Sequence, residues 1–263
     1  MKFLRRIRFA ALRSRQTVRC FDNGWQVLRD IGRGTDELQY RVDGVTVVAP
    51  NVPGARVPLY EVFAEDEYDL DWFAQGLGDR PTFVDIGAHI GCFVVDVTRR
   101  LPGAWGQAFE PTPSTGGYLA RNVELNGLTE RVRVRHEAAA SQAGVLVMAD
   151  NGVGSGHNGV LHLGADGANA IEVPTTSIAT AIEELDGIDL LKMDCEGGEY
   201  DIVLNTGAEH WRRVRRVVME YHALPGHSIE EIEQHFETAG LPMVRRVRYT
   251  DGLGLAWFAR DLT

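Results

Sequence analysis

Apolar positions in the middle of the chain follow two alternating patterns. Short apolar runs predict buried strands at residues 82–86, 106–109, 132–136, 189–193 and 216–220. Apolar residues that recur every three or four positions predict helices at residues 91–101, 114–126, 177–185, 199–204 and 228–239. Because repeated strand-helix units cover both faces of their strands, these patterns predict an α/β fold with a doubly wound, mostly parallel sheet.

The C-terminal stretch departs from this alternation. Residues 243–250 and 255–260 are two strand-like runs joined across a glycine-rich turn at residues 251–254. This pattern predicts a β-hairpin, which would place an antiparallel strand at the edge of the sheet.

The first 80 residues predict a small N-terminal α/β extension that helps to build an acceptor pocket, ahead of a main domain at residues 81–263. Residues 17–58 are short alternating runs broken by turn pairs and predict a small antiparallel β element. Residues 60–76 carry apolar residues at helical spacing and predict one or two short helices. Further on, residues 151–167 are rich in Gly and Asn; a disordered surface loop and a mobile flap near the ligand both stay open.

Charge is distributed unevenly along the chain. There are 27 Lys and Arg against 37 Asp and Glu, a formal net charge of −10, yet the first nineteen residues contain seven basic and no acidic side chains. The acidic remainder would repel a phosphate backbone, so we expect no nucleic-acid partner. The basic arm has a helical stripe of apolar residues, formed by Phe3, Leu4, Ile7, Ala10 and Ala11. A helix docked on the domain, a frayed terminus and a membrane-surface or targeting helix are its three open interpretations.

The cysteines indicate a reducing environment. Cys20, Cys92 and Cys195 are an odd number of widely spaced thiols without a CxxC motif, which argues against a disulfide framework or a thiolate zinc site. Since no run of eighteen apolar residues exists, we expect no transmembrane helix. These observations predict a cytoplasmic protein, and they leave a homo-oligomer open.

Ligands of a doubly wound sheet lie beyond the carboxyl ends of its strands. The first predicted strand ends in a loop with Asp85, Gly87, His89 and Gly91, and Glu110 follows Asp85 by 25 positions at the end of the second strand. A carboxylate at this separation meets the ribose hydroxyls of nucleotides in βαβ folds. The loop lacks a triphosphate-binding lysine, and a bulky His89 would crowd a pyrophosphate. A nucleoside without phosphate is therefore favoured over a dinucleotide, which disfavours an NAD-dependent oxidoreductase.

Two later strands end in a dense group of ionisable residues. The group consists of Lys192, Asp194, Glu196, Glu199, Glu220 and His222. Glu196 and Glu199 have the alternative role of complementing the positive end of a helix dipole. Asp194 ends its strand, where its carboxylate would project into the crevice.

The motifs VDIGAHIG, FEPTP, LLKMDCEGGEYDIV and MEYH resemble those of the FkbM-type methyltransferases, a branch of the class I S-adenosylmethionine-dependent enzymes. The resemblance implies a seven-stranded Rossmann-like sheet with a reversed final hairpin. It also implies that Asp85, Gly87 and Gly91 hold S-adenosylmethionine, with Glu110 on the ribose. His89 and Asp194 are further candidate cofactor-binding residues. The family usually has Asn where this chain has His89. Members mostly methylate hydroxyls of small molecules in secondary metabolism, including antibiotic biosynthesis.

Methyl transfer requires removal of a hydroxyl proton, for which Asp194 and His222 are the candidate bases, with Glu196 as a further catalytic candidate. His222 has the better unperturbed pKa, near 6.5. Asp194, Glu220 and His222 could alternatively hold a divalent ion such as Mg²⁺.

Three aromatic residues ahead of the main domain, Tyr60, Tyr68 and Trp72, are candidate walls of an acceptor pocket, with ordinary packing as the alternative. The leading hypothesis is an O-methyltransferase of a small hydroxylated acceptor that tailors a secondary metabolite, such as a polyketide or macrolide or its sugar, in antibiotic biosynthesis. N- or C-methylation and a cofactor-binding module without turnover are the alternatives.

Overall fold

The computed structural model describes residues 2–152, 158–160 and 169–262, with the backbone alone described for residues 2–9. Its main sheet has seven strands in the order β11-β12-β10-β9-β3-β4-β5. They are β3 (Thr82–Ile86), β4 (Trp105–Phe109), β5 (Val132–Arg135), β9 (Leu190–Met193), β10 (Arg216–Tyr221), β11 (Met243–Thr250) and β12 (Leu253–Ala259). The five strands from β10 to β5 are parallel, and β12 is antiparallel to both of its neighbours. The predicted sheet and C-terminal hairpin are confirmed, although β12 begins two residues earlier than expected.

Helices cover both faces of this sheet. They are α5 (Cys92–Arg100), α6 (Pro113–Leu125), α7 (Ile178–Glu184), α8 (Glu199–Leu204), α9 (Ala208–Trp211) and α10 (Ile229–Thr238). Successive strand residues point to opposite faces. Phe83 accordingly packs in one apolar cluster with Val94 of α5, while Val84 packs in a second with Ile182 of α7. Burial on both faces explains why the sequences of these strands are continuous apolar runs.

The segment between β5 and α7 forms a second sheet that the sequence patterns did not assign. Strands β6 (Ala138–Ala140), β7 (Gly144–Ala149) and β8 (Ala170–Ser177) pair in the order β6-β8-β7. Most of the glycine-rich segment predicted as a loop or flap, at residues 153–157 and 161–167, lies outside the described residues.

The N-terminal extension begins with two helices, α1 (Lys2–Cys20) and α2 (Gly24–Arg33), followed by the hairpin of β1 (Glu37–Val42) and β2 (Val45–Pro50). The prediction of β structure across residues 17–58 is therefore correct for the hairpin and wrong for α2. The glycine-containing turn signals near residues 24 and 34 mark the two ends of that helix. Gly34 adopts a left-handed conformation with φ of 67° and terminates α2, a usual role of glycine at helix ends.

The extension continues through a 3₁₀ turn (Gly54–Arg56) into the short helices α3 (Val57–Phe63) and α4 (Leu70–Phe73). Leu59 and Phe73 are completely buried in the same apolar cluster as Val94 of the main domain. The boundary at residue 80 stays a prediction. Within the described part of the chain, no helix has both the length and the apolar character needed to cross a bilayer.

Helix α1 is held on the domain by its C-terminal half. Arg13 forms an ion pair of 2.6 Å with Glu65, and the hydroxyls of Thr17 and Tyr60 lie 2.9 Å apart. Ala10 and Ala11 are exposed, and the side chains of Phe3, Leu4 and Ile7 lie outside the described residues. The docked-helix interpretation therefore holds for residues 13–20.

Candidate active site

A cavity of about 710 Å³ lies beyond the carboxyl ends of β3, β4, β9 and β10. Gly87, Glu110, Asp194 and Glu220 line it from these four strand ends. Val57, Pro58 and Glu61 line it from α3, so the extension forms part of the wall. The cavity thus occupies the place where ligands bind in open α/β sheets.

Gly87 lines the cavity, and a glycine is required at this position because the end of the neighbouring strand β9 lies very close to it. Its φ is +75°, and a Cβ at this position would lie 1.7 Å from the carbonyl oxygen of Asp194. Gly91, with φ of +88°, lies close to Leu119 of α6 and does not line the cavity. The close neighbour of Gly91 therefore belongs to the next helix.

Asp85 was predicted to contact a cofactor directly, and the structure buries it beneath the cavity instead. Its carboxylate lies 3.2 Å from the Nζ of Lys192, which donates a hydrogen bond of 2.8 Å to the carbonyl of Gly87. Burial raises the pKa of Asp85 to about 6 against the opposing effect of Lys192. Burial alone would lower the pKa of Lys192, but Asp85 and Asp194 raise it. This ion pair fixes the glycine loop from below.

Glu110 lines the cavity and also fastens the loop. Its Oε2 accepts a hydrogen bond of 2.8 Å from the backbone N–H of His89. Its Oε1 accepts bonds of 3.0 Å from the N–H of Thr112 and 2.7 Å from the hydroxyl of Thr115. Neither threonine was predicted to belong to the site, although Thr112 lies only three residues beyond the predicted strand at residues 106–109. These donors hold the carboxylate in one orientation at the cavity wall.

His89 lines the cavity with a φ of +51°. Both ring nitrogens are buried without a hydrogen-bond partner among the described residues. Burial lowers the pKa of His89, with a smaller opposing effect from Glu110. The imidazole is therefore neutral at pH 7 and presents one donor and one acceptor for a ligand.

Glu199 and His222 form a hydrogen-bonded pair. Glu199 is completely buried, and its Oε1 lies 2.9 Å from the Nδ1 of His222. The same carboxylate accepts hydrogen bonds from the backbone N–H groups of Cys195 and Gly197. Glu199 begins α8, but its contacts are to the preceding loop and to His222. The hydrogen bond between Glu199 and His222 was not predicted from the sequence.

A second glutamate faces the other side of the His222 ring. The Nε2 atom lies 3.4 Å from the Oε2 of Glu196, which lines the cavity with a φ of +50°. Burial alone would lower the pKa of His222, but the hydrogen bond and charge of Glu199 and the charge of Asp194 raise it to about 9. The pKa of His222 in the folded protein therefore lies well above the unperturbed value near 6.5, and the ring is cationic at pH 7.

The predicted metal ligands Asp194, Glu220 and His222 do come together. One ligand atom from each lies within 4.8 Å of the others. The Asp194 carboxylate is also 3.8 Å from the Nζ of Lys192. Two oxygens and an imidazole could serve a divalent ion, but a cationic imidazole has no free lone pair to offer. Metal binding stays a prediction.

The predicted aromatic walls are packed elsewhere. Tyr60 faces Thr17 and has Arg13 over its ring, and Trp72 packs against Trp257. Tyr68 is buried, with its ring edge against Phe93 at a centroid distance of 5.4 Å. None of the three predicted walls is among the residues that line the cavity. Their role as walls was wrong, because the extension turns its aromatic side chains into the core.

Two carboxyl groups that line the cavity, those of Glu61 and Glu220, have raised pKa values. Burial, with smaller contributions from Glu67 and Asp194, raises the pKa of Glu61 to about 8. Burial and the charge of Asp194 likewise raise the pKa of Glu220 to about 8. A carboxyl with a raised folded-state pKa makes folding less favourable as the pH rises above its ordinary value.

We expect the ligand-free protein to lose stability between about pH 4.5 and pH 8, partly through Glu61. Glu61→Gln, which cannot ionise, should be more stable than the original chain by about 1 to 3 kcal/mol at pH 8 and nearly equal at pH 4.5. Urea unfolding at both pH values measures this difference. Glu237→Gln, on an exposed position of α10, is the control; an equal gain at both pH values in Glu61→Gln contradicts the prediction.

Comparison with known proteins adds a family relationship to this geometry. Residues 85–242 match the family model described as the methyltransferase FkbM domain. The chain is 29% identical over 215 residues to methyltransferase sdnD of Sordaria araneosa, covering 70% of this chain and 81% of that protein. It is 26% identical over 214 residues to the 31-O-demethyl-FK506 methyltransferase FkbM of Streptomyces tacrolimicus, with the same coverage of 70% and 81%.

A solved structure has the same fold. The crystal structure of methyltransferase FkbM from Methylobacillus flagellatus KT matches with a TM-score of 0.51 and 16% identity, over 73% of this chain and 47% of that one. This chain thus spans about half the length of that neighbour.

Proposed function

Because this chain belongs to the FkbM family of methyltransferases, we propose that it transfers the methyl group of S-adenosylmethionine to a hydroxyl oxygen of a small molecule. The observation that carries the proposal is the cavity at the strand ends, which both the fixed carboxylate of Glu110 and Asp194 line, with a ring nitrogen of His222 within 4.8 Å of the Asp194 carboxylate. A relative is by name a 31-O-demethyl-FK506 methyltransferase, which supports oxygen as the acceptor atom and secondary metabolism as the setting.

The cavity suits S-adenosylmethionine in shape and chemistry. Phe109, Pro111, Ala139 and Met148 offer an apolar surface for an adenine ring next to Glu110. Glu110 would accept from ribose hydroxyls, and the unpartnered ring nitrogens of His89 would meet a polar group of the same molecule. When bound, the cofactor would supply an electrophilic methyl group carried on a positively charged sulfur.

The residues on the acceptor side would orient the acceptor hydroxyl and remove its proton. Asp194 would accept a hydrogen bond from the acceptor hydroxyl and orient its lone pair toward the methyl group. His222, in its neutral form, would take the hydroxyl proton, and the Glu196 and Glu199 carboxylates would stabilise the imidazolium that results. The chain would act in the cytoplasm, where its three free cysteines stay reduced.

Calorimetric titration with S-adenosylhomocysteine, followed by a methyl-transfer assay on hydroxylated metabolites, tests the proposal. We expect Glu110→Gln to weaken S-adenosylhomocysteine binding about 10- to 100-fold, because an amide replaces one of two charged acceptor oxygens. Unchanged affinity in this variant would remove Glu110 from the cofactor site.

The same substitution disturbs the donors that Glu110 binds within the loop. Thermal unfolding of Glu110→Gln therefore accompanies the titration, and affinity is compared only at temperatures where the variant is folded. Glu124→Gln, on an exposed position of α6, is the matched control and should bind S-adenosylhomocysteine like the original chain.

A further inference from the structure

Helix α1 carries a row of basic positions on the side opposite its contact with the domain. These positions recur every three or four residues and so follow one line along the helix; they are Arg5, Arg8, Leu12, Arg15 and Arg19. We call them the arginine row. Each residue turns an α-helix by about 100°. Arg15 and Arg19, each two positions from Thr17, therefore lie opposite the hydroxyl contact that joins Thr17 to Tyr60.

The C-terminal part of the arginine row is open to solvent. Arg15 and Arg19 are exposed, and neither forms an ion pair with a residue that the structure describes. Leu12 lies on the same line and is 51% exposed. The docked helix thus keeps positive charge and an apolar side chain available to a partner.

Helix α2 adds a second surface of the same kind. A Cβ at Gly24 would lie 2.2 Å from the carbonyl oxygen of Thr17, so α2 begins in contact with α1. The next residue, Trp25, is 75% exposed, the largest fraction among the large apolar residues in the described part of the chain. Arg29 and Arg33 follow it at intervals of four, and both are exposed. Arginine and a large apolar residue therefore share the exposed side of α2 as well.

The charge of the chain is concentrated at these two helices. Residues 1–35 contain nine of the 27 basic residues but only two of the 37 acidic ones, Asp22 and Asp30. A flat anionic surface can meet the molecule through this part, and carboxylates farther away than about 8 to 10 Å are screened in physiological salt. The acidic remainder therefore does not prevent such a contact.

We propose that α1 and α2 bind the surface of a lipid bilayer that contains anionic lipids. The arginine side chains would reach the headgroup phosphates while their alkyl stems stay in the apolar layer. Trp25 and Leu12 would enter the boundary between the headgroups and the acyl chains, where indole rings are favoured. Each arginine near an anionic surface adds to the attraction. Since α1 is fixed to the domain by Arg13 and Thr17, the two helices would hold the folded protein on the membrane.

A bilayer fits this surface better than a nucleic acid. Both partners offer phosphate groups to the arginines. Proteins that bind single strands add stacking between bases and aromatic rings, but the aliphatic Leu12 cannot stack. Interfacial helices, in contrast, combine arginine with Trp and Leu in this way. The apolar residues next to the arginines thus favour the bilayer.

Sedimentation of the full chain with lipid vesicles tests the proposal. We expect binding to vesicles of phosphatidylcholine mixed with phosphatidylglycerol, much weaker binding to phosphatidylcholine alone, and weaker binding as NaCl is added. The double substitution Arg15→Gln and Arg19→Gln should weaken binding about 10- to 30-fold. The double substitution Arg212→Gln and Arg248→Gln removes the same charge at exposed positions outside the two helices and should change it little.

The apolar contribution has its own variant and control. Trp25→Ala should weaken vesicle binding about 3- to 10-fold, and brominated lipid should quench tryptophan fluorescence in the original chain more than in this variant. Leu125→Ala, at an exposed position of α6, should bind vesicles like the original chain. All variants should keep the original unfolding midpoint, because the changed side chains are exposed.

Each contrary outcome would overturn the inference. These outcomes are a lack of binding to anionic vesicles, equal binding to both vesicle types, or an equal loss in the two double variants. Tighter binding of DNA or RNA oligonucleotides than of anionic vesicles, lost in the variant at Arg15 and Arg19, would overturn it in favour of a nucleic acid. The proposed methyl transfer is independent of these results, since binding of S-adenosylhomocysteine is measured without lipid.

Discussion

Asp194→Asn is expected to lower the rate of methyl transfer about 10²- to 10⁴-fold while S-adenosylhomocysteine still binds. The backbone N–H of Asp194 donates a hydrogen bond of 3.0 Å to the carbonyl of Ile86, so an isosteric side chain should leave the strand end in place. The amide loses the negative charge that orients the acceptor hydroxyl and supports the His222 imidazolium. Single-turnover transfer with a mass gain of one methylene as the readout measures the effect.

A matched asparagine substitution separates charge loss at the site from charge loss in general. Asp186→Asn changes an exposed carboxylate that pairs with Arg213 far from the lining of the cavity, and it should transfer methyl groups at the original rate. If Asp194→Asn retains more than about a tenth of the original rate, Asp194 contributes less than a general base or orienting group should, and its assigned role is wrong.

Much of the fold could be predicted because the central strands are buried on both faces. Val84 and Leu191 face one apolar layer while Phe83 and Leu190 face the other, so the sequence shows unbroken apolar runs. Helix α2 was missed because its terminal glycines look like hairpin turns when only the local sequence is read. The strands β6 to β8 form a separate small sheet, and β6 has only three residues, too few for a periodic signal.

The sequence located the site more reliably than it assigned contacts within it. Strand-end position placed Gly87, Glu110 and Asp194 at one cavity. It could not show that Asp85 lies beneath the loop, because a buried and an exposed strand-terminal aspartate have the same local pattern. The position of Glu61 at the cavity could not be predicted from the sequence either, since it depends on how α3 packs across the strand ends. Long-range placement of this kind is decided by tertiary packing rather than by local sequence.

The two glutamates that face the ring nitrogens of His222 should set the pH dependence of catalysis. Since they hold the pKa of His222 at about 9, the fraction of the ring that can accept a proton rises tenfold with each pH unit below that value. We expect kcat/KM to rise with this slope from about pH 7 and to level above about pH 9, because kcat/KM reports the ionisation of the free enzyme. The bound sulfonium should disfavour the cationic ring, so the inflection of kcat should lie at a lower pH than that of kcat/KM.

His222→Gln should remove this rising limb and lower kcat/KM about 10²- to 10⁴-fold at pH 9. His227→Gln is the matched control, since His227 also bonds a glutamate, at 2.9 Å from Glu231, but does not belong to the cluster of Asp194, Glu220 and His222. A raised histidine pKa stabilises the fold fully below about pH 6.5, and this stabilisation is lost as the pH rises through about 9. Unfolding midpoints are therefore measured across the same range. A rising limb that persists in His222→Gln would assign the proton transfer to another group.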